Sequence, residues 1–213
     1  MTPAEASASA RKICELAPVI PVLTVPDAAK AEGLAHALVA GGLPALEVTL
    51  RTPAALDAIR EMSVVEGGIV GAGTLMSPAD VHAAKEAGAL FGVSPGATDR
   101  ILDAAEAVDL PLLPGAATAS EVMRLLERGY DMLKFFPAEA SGGAAALGSF
   151  ASPISQASFC PTGGVSLANV GDYLSLPNTV CVGGSWVAPG ALIAREDWAG
   201  IEALAREAAM LPR

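Results

Sequence analysis

The sequence predicts an α/β fold of parallel strands, a (β/α)8 TIM barrel formed by a single domain over residues 1–213 with one extra N-terminal helix. Three observations predict it. Short β-branched or apolar runs alternate with helical patterns, and eight such units recur at roughly twenty-odd residues each. Most of the runs close on a glycine, a proline or a polar residue, the punctuation of a strand passing into a loop. The 213 residues are 52% hydrophobic and 17% charged, which suits one large core and is too apolar for disorder.

Taken in order, residues 1–16 contain Ala and Glu with Arg11 and Lys12 late. They lack the pattern of a secretory leader and read as a short helix, which makes the expected location cytoplasmic. Residues 19–25 are the first strand; Asp27 caps a helix reaching 36–40, and Gly41 with Gly42 stops it. Residues 45–50 form a strand, 53–62 a helix and 68–73 a strand, after which Ser77 as cap and Pro78 in the first turn open a helix to Gly88. Residues 90–94 lead to a helix over 99–108, and 111–114 form a short strand followed by a helix over 119–129. The sixth strand is 132–135, with a weaker helix at 144–150 because Gly148 and Ser149 are poor helix formers. Residues 158–161, 166–174 and 180–183 then read as strand, helix and eighth strand, and 197–210 as the last helix. A doubly wound open sheet needs fewer strands and usually a nucleotide fingerprint. Gly71-Ala72-Gly73 is half of one, since Met76 stands where the third glycine belongs, and there is no Walker A sequence.

Composition narrows the function classes. A net charge of −10 repels phosphate backbones, and no basic stripe interleaved with aromatics exists, so nucleic acid is not expected as a partner. The longest uncharged run, from Ala140 to Gly171, is broken by Gly, Pro, Ser, Gln and Asn and cannot span a membrane. Cys14, Cys160 and Cys181 are odd in number and far apart, with no CxxC pair, and read as reduced, buried thiols. His36 and His82 both fall in helical patterns, which leaves a histidine-based metal site without convergent ligands. No metal and no organic cofactor is expected.

The candidate chemistry sits at the strand ends, because a barrel presents its reactive groups there. Lys134 lies in Leu133-Lys134-Phe135-Phe136-Pro137, among apolar residues. Burial disfavours an ammonium, so an inward-facing Lys134 makes a better amine nucleophile, the profile of a Schiff-base lysine. The plainer reading is that it lifts its charge into water along its apolar stem. Alternation along residues 45–51 puts Glu47, Thr49 and Arg51 on one face, which must be the inside top of the barrel, and Leu46, Val48 and Leu50 on the other. Glu47 and Arg51 could simply pair across the barrel mouth. With Lys134 they supply more: an amine nucleophile, a carboxylate to move a proton, and a guanidinium to hold a carboxylate, as carbon–carbon cleavage of a 2-keto acid through an iminium requires. Gly163 and Gly164 follow the seventh strand, Gly184 and Ser185 the eighth, where backbone amides converge on phosphate in this architecture; each pair alone could be no more than a tight turn.

These blocks, together with Val70-Gly71-Ala72-Gly73-Thr74, Ser94-Pro95-Gly96, Phe159-Cys160-Pro161-Thr162-Gly163-Gly164 and Gly183-Gly184-Ser185-Trp186, give the chain a close resemblance to the class I KDPG/4-hydroxy-2-oxoglutarate aldolase family, KDPG being 2-keto-3-deoxy-6-phosphogluconate. The resemblance covers nearly the whole chain. It implies a lyase of the Entner–Doudoroff pathway that cleaves a phosphorylated 2-keto-3-deoxy sugar acid to pyruvate and D-glyceraldehyde 3-phosphate. In that reading Lys134 forms the Schiff base, Glu47 is the general acid/base, and Arg51 with Thr74 holds the substrate carboxylate. Pro95 lines the pyruvate pocket, and Thr162, Gly163, Gly164, Gly184 and Ser185 handle the hydroxyl and phosphate end. The resemblance also implies a homotrimer. Alternatives in the same chemistry are cleavage of 4-hydroxy-2-oxoglutarate or of 2-keto-3-deoxy-6-phosphogalactonate. From other classes come a noncatalytic phosphate-sugar-binding barrel, which would bind without turnover, and a metal-dependent epimerase, which would want histidines at strand ends.

Overall fold

The computed structural model describes residues 1–213 as parallel strands alternating with helices. The strands are β1 (Val19–Leu23), β2 (Ala45–Thr49), β3 (Ile69–Gly73), β4 (Phe91–Val93), β5 (Leu112–Leu113), β6 (Gly115–Ala116), β7 (Met132–Phe135), β8 (Ser158–Pro161) and β9 (Val182–Gly184). The helices are α1 (Pro3–Cys14), α2 (Ala31–Ala40), α3 (Ala55–Ser63), α4 (Pro78–Glu86), α5 (Asp99–Ala107), α6 (Ala119–Arg128), α7 (Gly143–Gly148), α8 (Val170–Leu174), α9 (Gly190–Arg195) and α10 (Trp198–Ala209). Polar residues start several of them as their types require. Ser77 accepts from the Asp80 amide ahead of Pro78 at the head of α4, and Thr118 and Glu121 form a reciprocal capping box on α6.

All strand pairs are parallel. A six-stranded sheet runs β5-β4-β3-β2-β1-β9, and a three-stranded sheet runs β6-β7-β8. Isolated parallel bridges, Phe159 with Thr179 and Thr162 with Gly183, link β8 toward β9. The result is an α/β fold with a strongly curled parallel sheet.

The fifth strand expected at 111–114 becomes two pieces because Pro114 has no N–H to give to a ladder. Its carbonyl still accepts from the Lys134 amide at 2.9 Å. Leu112 and Leu113 therefore pair with β4, while Gly115 and Ala116 pair with β7. The helix expected over 166–174 shortens to Val170–Leu174, because Asn169 Oδ1 accepts from both the amide and the hydroxyl of Ser166 and folds that stretch as a turn. The helix after Asp27 opens with a 3-10 turn, Ala28–Lys30, with the Asp27 side chain accepting from the Ala29 amide at 3.1 Å. Helix α9, six residues begun by glycine after Pro189, left no periodic signal to read.

Two clusters make the core. The larger, of 53 residues, packs helices against the outer face of the sheet and includes Leu46, Val48, Leu133 and Phe135. The smaller, of nine, occupies the concave inner face and includes Ile20, Ala45, Phe91, Met132 and Cys160. Burial on both faces is what parallel strands between helices impose. The alternation along β2 follows from it: Ala45, Glu47 and Thr49 turn inward, while Leu46 and Val48 face the helices.

Candidate active site

Lys134 stands near the end of β7, paired in register with Gly115 on one side and Cys160 on the other. Glu47 stands on β2 between Val22 and Gly71. The curl of the sheet brings these residues together: Lys134 Nζ donates to Glu47 Oε1 at 3.2 Å, with side chains only 5% and 4% exposed. Taking two charges out of water costs more than such a pair reliably returns, so its presence signals use rather than stability. The Phe136 ring lies 5.3 Å from the ammonium, a further stabilising contact for the cation. Gly73 makes room for the carboxylate: a Cβ there would lie 2.3 Å from Glu47 Oε1.

Around this pair the strand ends supply the other groups. Arg51 Nε donates to Thr74 Oγ1 at 3.2 Å, and Thr74 holds a left-handed φ of 63°, uncommon for a β-branched residue, at the turn out of β3. Thr49 Oγ1 donates to the Leu23 carbonyl at 2.8 Å, which fixes β2 against β1 beneath the mouth. A cavity of about 210 Å³ is walled by Arg51, Phe136, Thr162, Gly163, Gly164 and Ser185, with Val22, Thr24, Val165 and Gly183. The amides of Gly163, Gly164 and Ser185 have no acceptor within the protein. They stand unpaired at a turn whose two glycines are left-handed, with φ of 101° and 82°, the concave arrangement of backbone N–H groups that suits an anion.

The sequence-chosen residues thus divide. Arg51, Thr162, Gly163, Gly164 and Ser185 share the cavity wall, and Lys134 and Glu47 form the buried pair. Thr74 reaches the cavity through Arg51. Pro95 is half-buried, its carbonyl so close to Gly115 that a Cβ there would come within 2.3 Å. Gly184 lies off the wall, where a Cβ would meet the Trp186 ring at 1.9 Å, while its neighbour Gly183 lines the cavity beside Thr162. Val22, Thr24 and Val165 are wall residues that the sequence reading left unnamed, and Phe136 was read only as an apolar neighbour of Lys134; their position at or just past strand ends was the available signal.

The three cysteines, distant in sequence, all join the inner cluster and all are free and buried. Contact with the Cys160 thiol, reinforced by burial, pushes the Cys14 thiol up; contact with Cys14 and Cys160 does the same to Cys181. His36 and His82 lie on α2 and α4, and His36 faces Glu32 one turn away at 3.7 Å. No group of three or more His, Cys, Asp or Glu side chains is placed to hold a metal ion. No helix is long and apolar enough to cross a membrane.

Comparison with known proteins bears directly on this arrangement. The family model described as "KDPG and KHG aldolase" matches residues 10–204. The chain is 50% identical over 197 residues to the 2-dehydro-3-deoxy-phosphogluconate aldolase of Pseudomonas aeruginosa, covering 92% of this chain and 90% of that one. The crystal structure of the 2-keto-3-deoxy-6-phosphogluconate aldolase of Zymomonas mobilis with 3-phosphoglycerate superposes with a TM-score of 0.93 at 49% identity, over 97% of this chain and 98% of the other. A KDPG aldolase from Legionella pneumophila, with pyruvate captured as a covalent carbinolamine, superposes with a TM-score of 0.90 at 42% identity, over 93% and 97%.

Proposed function

Because the chain belongs to the KDPG and KHG aldolase family, we propose that Lys134 is its Schiff-base nucleophile and Glu47 its proton carrier. The enzyme is a carbon–carbon lyase that cleaves 2-keto-3-deoxy-6-phosphogluconate to pyruvate and D-glyceraldehyde 3-phosphate, the aldolase step of the Entner–Doudoroff pathway. The observation that carries the residue assignment is the buried 3.2 Å contact between Lys134 Nζ and Glu47 Oε1 beside the cavity.

Lys134, having passed a proton to Glu47, attacks the C2 ketone, and the alkoxide takes a proton to give a carbinolamine. Protonation of that hydroxyl and loss of water leave an iminium. Glu47, directly or through a water, then takes the C4 hydroxyl proton; the C3–C4 bond breaks, its electrons enter the iminium, and glyceraldehyde 3-phosphate leaves. The remaining enamine is protonated at the former C3, and water hydrolyses the iminium to pyruvate and free Lys134. Arg51, oriented by Thr74, holds the substrate carboxylate, and Pro95 borders the pyruvate end. Thr162 meets a substrate hydroxyl, while Gly163, Gly164 and Ser185 receive the phosphate through their free amides, and Gly184, off the wall, serves as the strand end that leads into Ser185.

The bridges between β8 and the β9 edge, and the shared strand interrupted at Pro114, support a closed eight-stranded (β/α)8 barrel, with α1 as the extra N-terminal helix. Within this reading the chain is a single domain, works in the cytoplasm without a cofactor, and assembles as a homotrimer as the family resemblance implies. The deciding experiment for the chemistry is borohydride reduction in the presence of pyruvate, followed by peptide mass spectrometry. A reduced adduct on Lys134, missing in Lys134→Ala, supports the assignment; an adduct elsewhere, or undiminished turnover in that variant, ends it.

A further inference from the structure

The Gly163–Gly164 turn has the conformational freedom of two left-handed glycines and yet must present its amides in one arrangement. The structure contains a device for this outside the cavity wall. The loop leaving β7 is bonded to the turn by the Ala138 amide on the Thr162 carbonyl at 2.9 Å and the Glu139 amide on the Gly163 carbonyl at 3.0 Å. The side chain of Glu139 then lies flat against Gly164, so close that a Cβ on that glycine would come within 2.5 Å of Glu139 Cγ. Its carboxylate is held there by Tyr173 on α8, whose fully buried hydroxyl donates to Glu139 Oε1. Burial, and then the hydrogen bond to this carboxylate, push the Tyr173 phenol up, so it acts as a donor across the working range of pH. From the opposite side, Asn169 Nδ2 donates to the Gly164 carbonyl at 3.1 Å.

We infer that Glu139 and Tyr173 are positioning residues that clamp the Gly163–Gly164 turn in its anion-receiving form, and so set the affinity for the phosphorylated end of the substrate without taking part in Schiff-base chemistry. The inference rests on the reading of that turn as a phosphate site. Glu139 is otherwise unexplained: an exposed carboxylate beside a turn meant for a dianion is electrostatically unfavourable, and here one of its oxygens is occupied by a neutral donor. The pair spans the segments after β7 and β8, so the strand bearing Lys134 and the turn receiving phosphate are held in one geometry.

The test uses two reactions of the full chain. One is cleavage of 2-keto-3-deoxy-6-phosphogluconate; the other is deuterium exchange into the methyl group of pyruvate, which needs Lys134 and Glu47 and no phosphate. Tyr173→Phe keeps the ring and deletes the hydroxyl. It should raise KM for cleavage roughly tenfold, the scale of one hydrogen bond to a charged acceptor, with kcat and the exchange rate each within about twofold. Glu139→Ala, at an exposed position that does not endanger folding, should do the same, and Glu139→Gln, which keeps the packing and an acceptor oxygen, should restore most of the affinity. Equal losses in cleavage and exchange would reduce the pair to a structural role and overturn the inference. If Ser185→Ala raises KM and neither Tyr173→Phe nor Glu139→Ala does, the clamp fails while the phosphate site stands; if none of the three raises it, the phosphate reading fails as well.

Discussion

Gly73→Ala tests the proposed catalytic pair without touching either member. The added methyl carbon would sit 2.3 Å from Glu47 Oε1, 2.7 Å from its Cγ and 2.8 Å from its Cδ, against the 3.4 Å at which ordinary contact begins. The carboxylate must therefore retreat by about 1 Å, and its side chain is 4% exposed in a packed interior with little room to move. A retreat away from Lys134 stretches the 3.2 Å contact past hydrogen-bonding range. Misplacing a catalytic group by about 1 Å costs on the order of 10²-fold in rate, which is the loss expected in kcat. Overpacking itself costs about 1–3 kcal/mol, or a Tm lowered by roughly 2–12 °C in a domain of this size. The assay couples pyruvate release to lactate dehydrogenase, with circular dichroism to confirm folding. Gly71→Ala is the control: its methyl would meet the Phe91 ring at 2.4 Å, so it overpacks the same strand without displacing Glu47. It should lose stability comparably and keep kcat within about fivefold. If Gly73→Ala retained kcat within about threefold, or if Gly71→Ala lost as much activity, the Lys134–Glu47 contact would not be what turnover depends on.

Three further outcomes follow from the same geometry. Glu47→Gln keeps the shape of the side chain and removes its ability to carry a proton, so turnover should fall by about 10²- to 10⁴-fold while the protein stays folded; a smaller loss in steady-state cleavage would assign the proton transfer elsewhere. Arg51→Lys replaces a planar fork by a point charge and loses the Nε contact with Thr74, so KM for the keto acid should rise by roughly 10- to 100-fold, measured by cleavage and by pyruvate exchange together, because both need the carboxylate held. Glu121 accepts from the Ala117 and Thr118 amides at 2.8 and 2.9 Å, and the first of these bonds holds its carboxyl below the ordinary 4.5. A depressed folded-state value means that its stabilisation is complete above 4.5 and fades as pH falls through the folded value. Glu121→Gln should therefore cost about 0.3–1 kcal/mol in urea unfolding at pH 7, the scale of an exposed negative charge at a helix N-terminus, with the gap from wild type closing below pH 4.5; a gap that stayed constant into acid would show that charge is not what the capping box uses.

The order of the elements could be read along the chain because each depends on neighbours in sequence. Ser77 with Pro78 and the run ending at Gly129 mark helix ends through the bonds of a single turn. Alternation along residues 45–51 assigns faces because a strand reverses its side chains at every residue, so Glu47 turns inward without reference to anything distant. The motifs containing Lys134, Arg51, Thr162 and the glycine pairs were legible for the same reason: each is a strand end a few residues long.

What lay beyond the sequence were the distances between those ends. Glu47 and Lys134 are 87 residues apart and meet only because the sheet curls, and the curl is a sum of many small strand twists that no local pattern states. The same curl decided that the three cysteines form one cluster, that Gly184 answers to Trp186 while Gly183 lines the cavity, and that Tyr173 reaches Glu139 across 34 residues. The sequence by itself determined the identity, order and facing of the chemical groups, since periodicity and capping act over a few residues. Only the tertiary structure decided which groups touch, because a contact between strand ends depends on the twist and packing of every element between them.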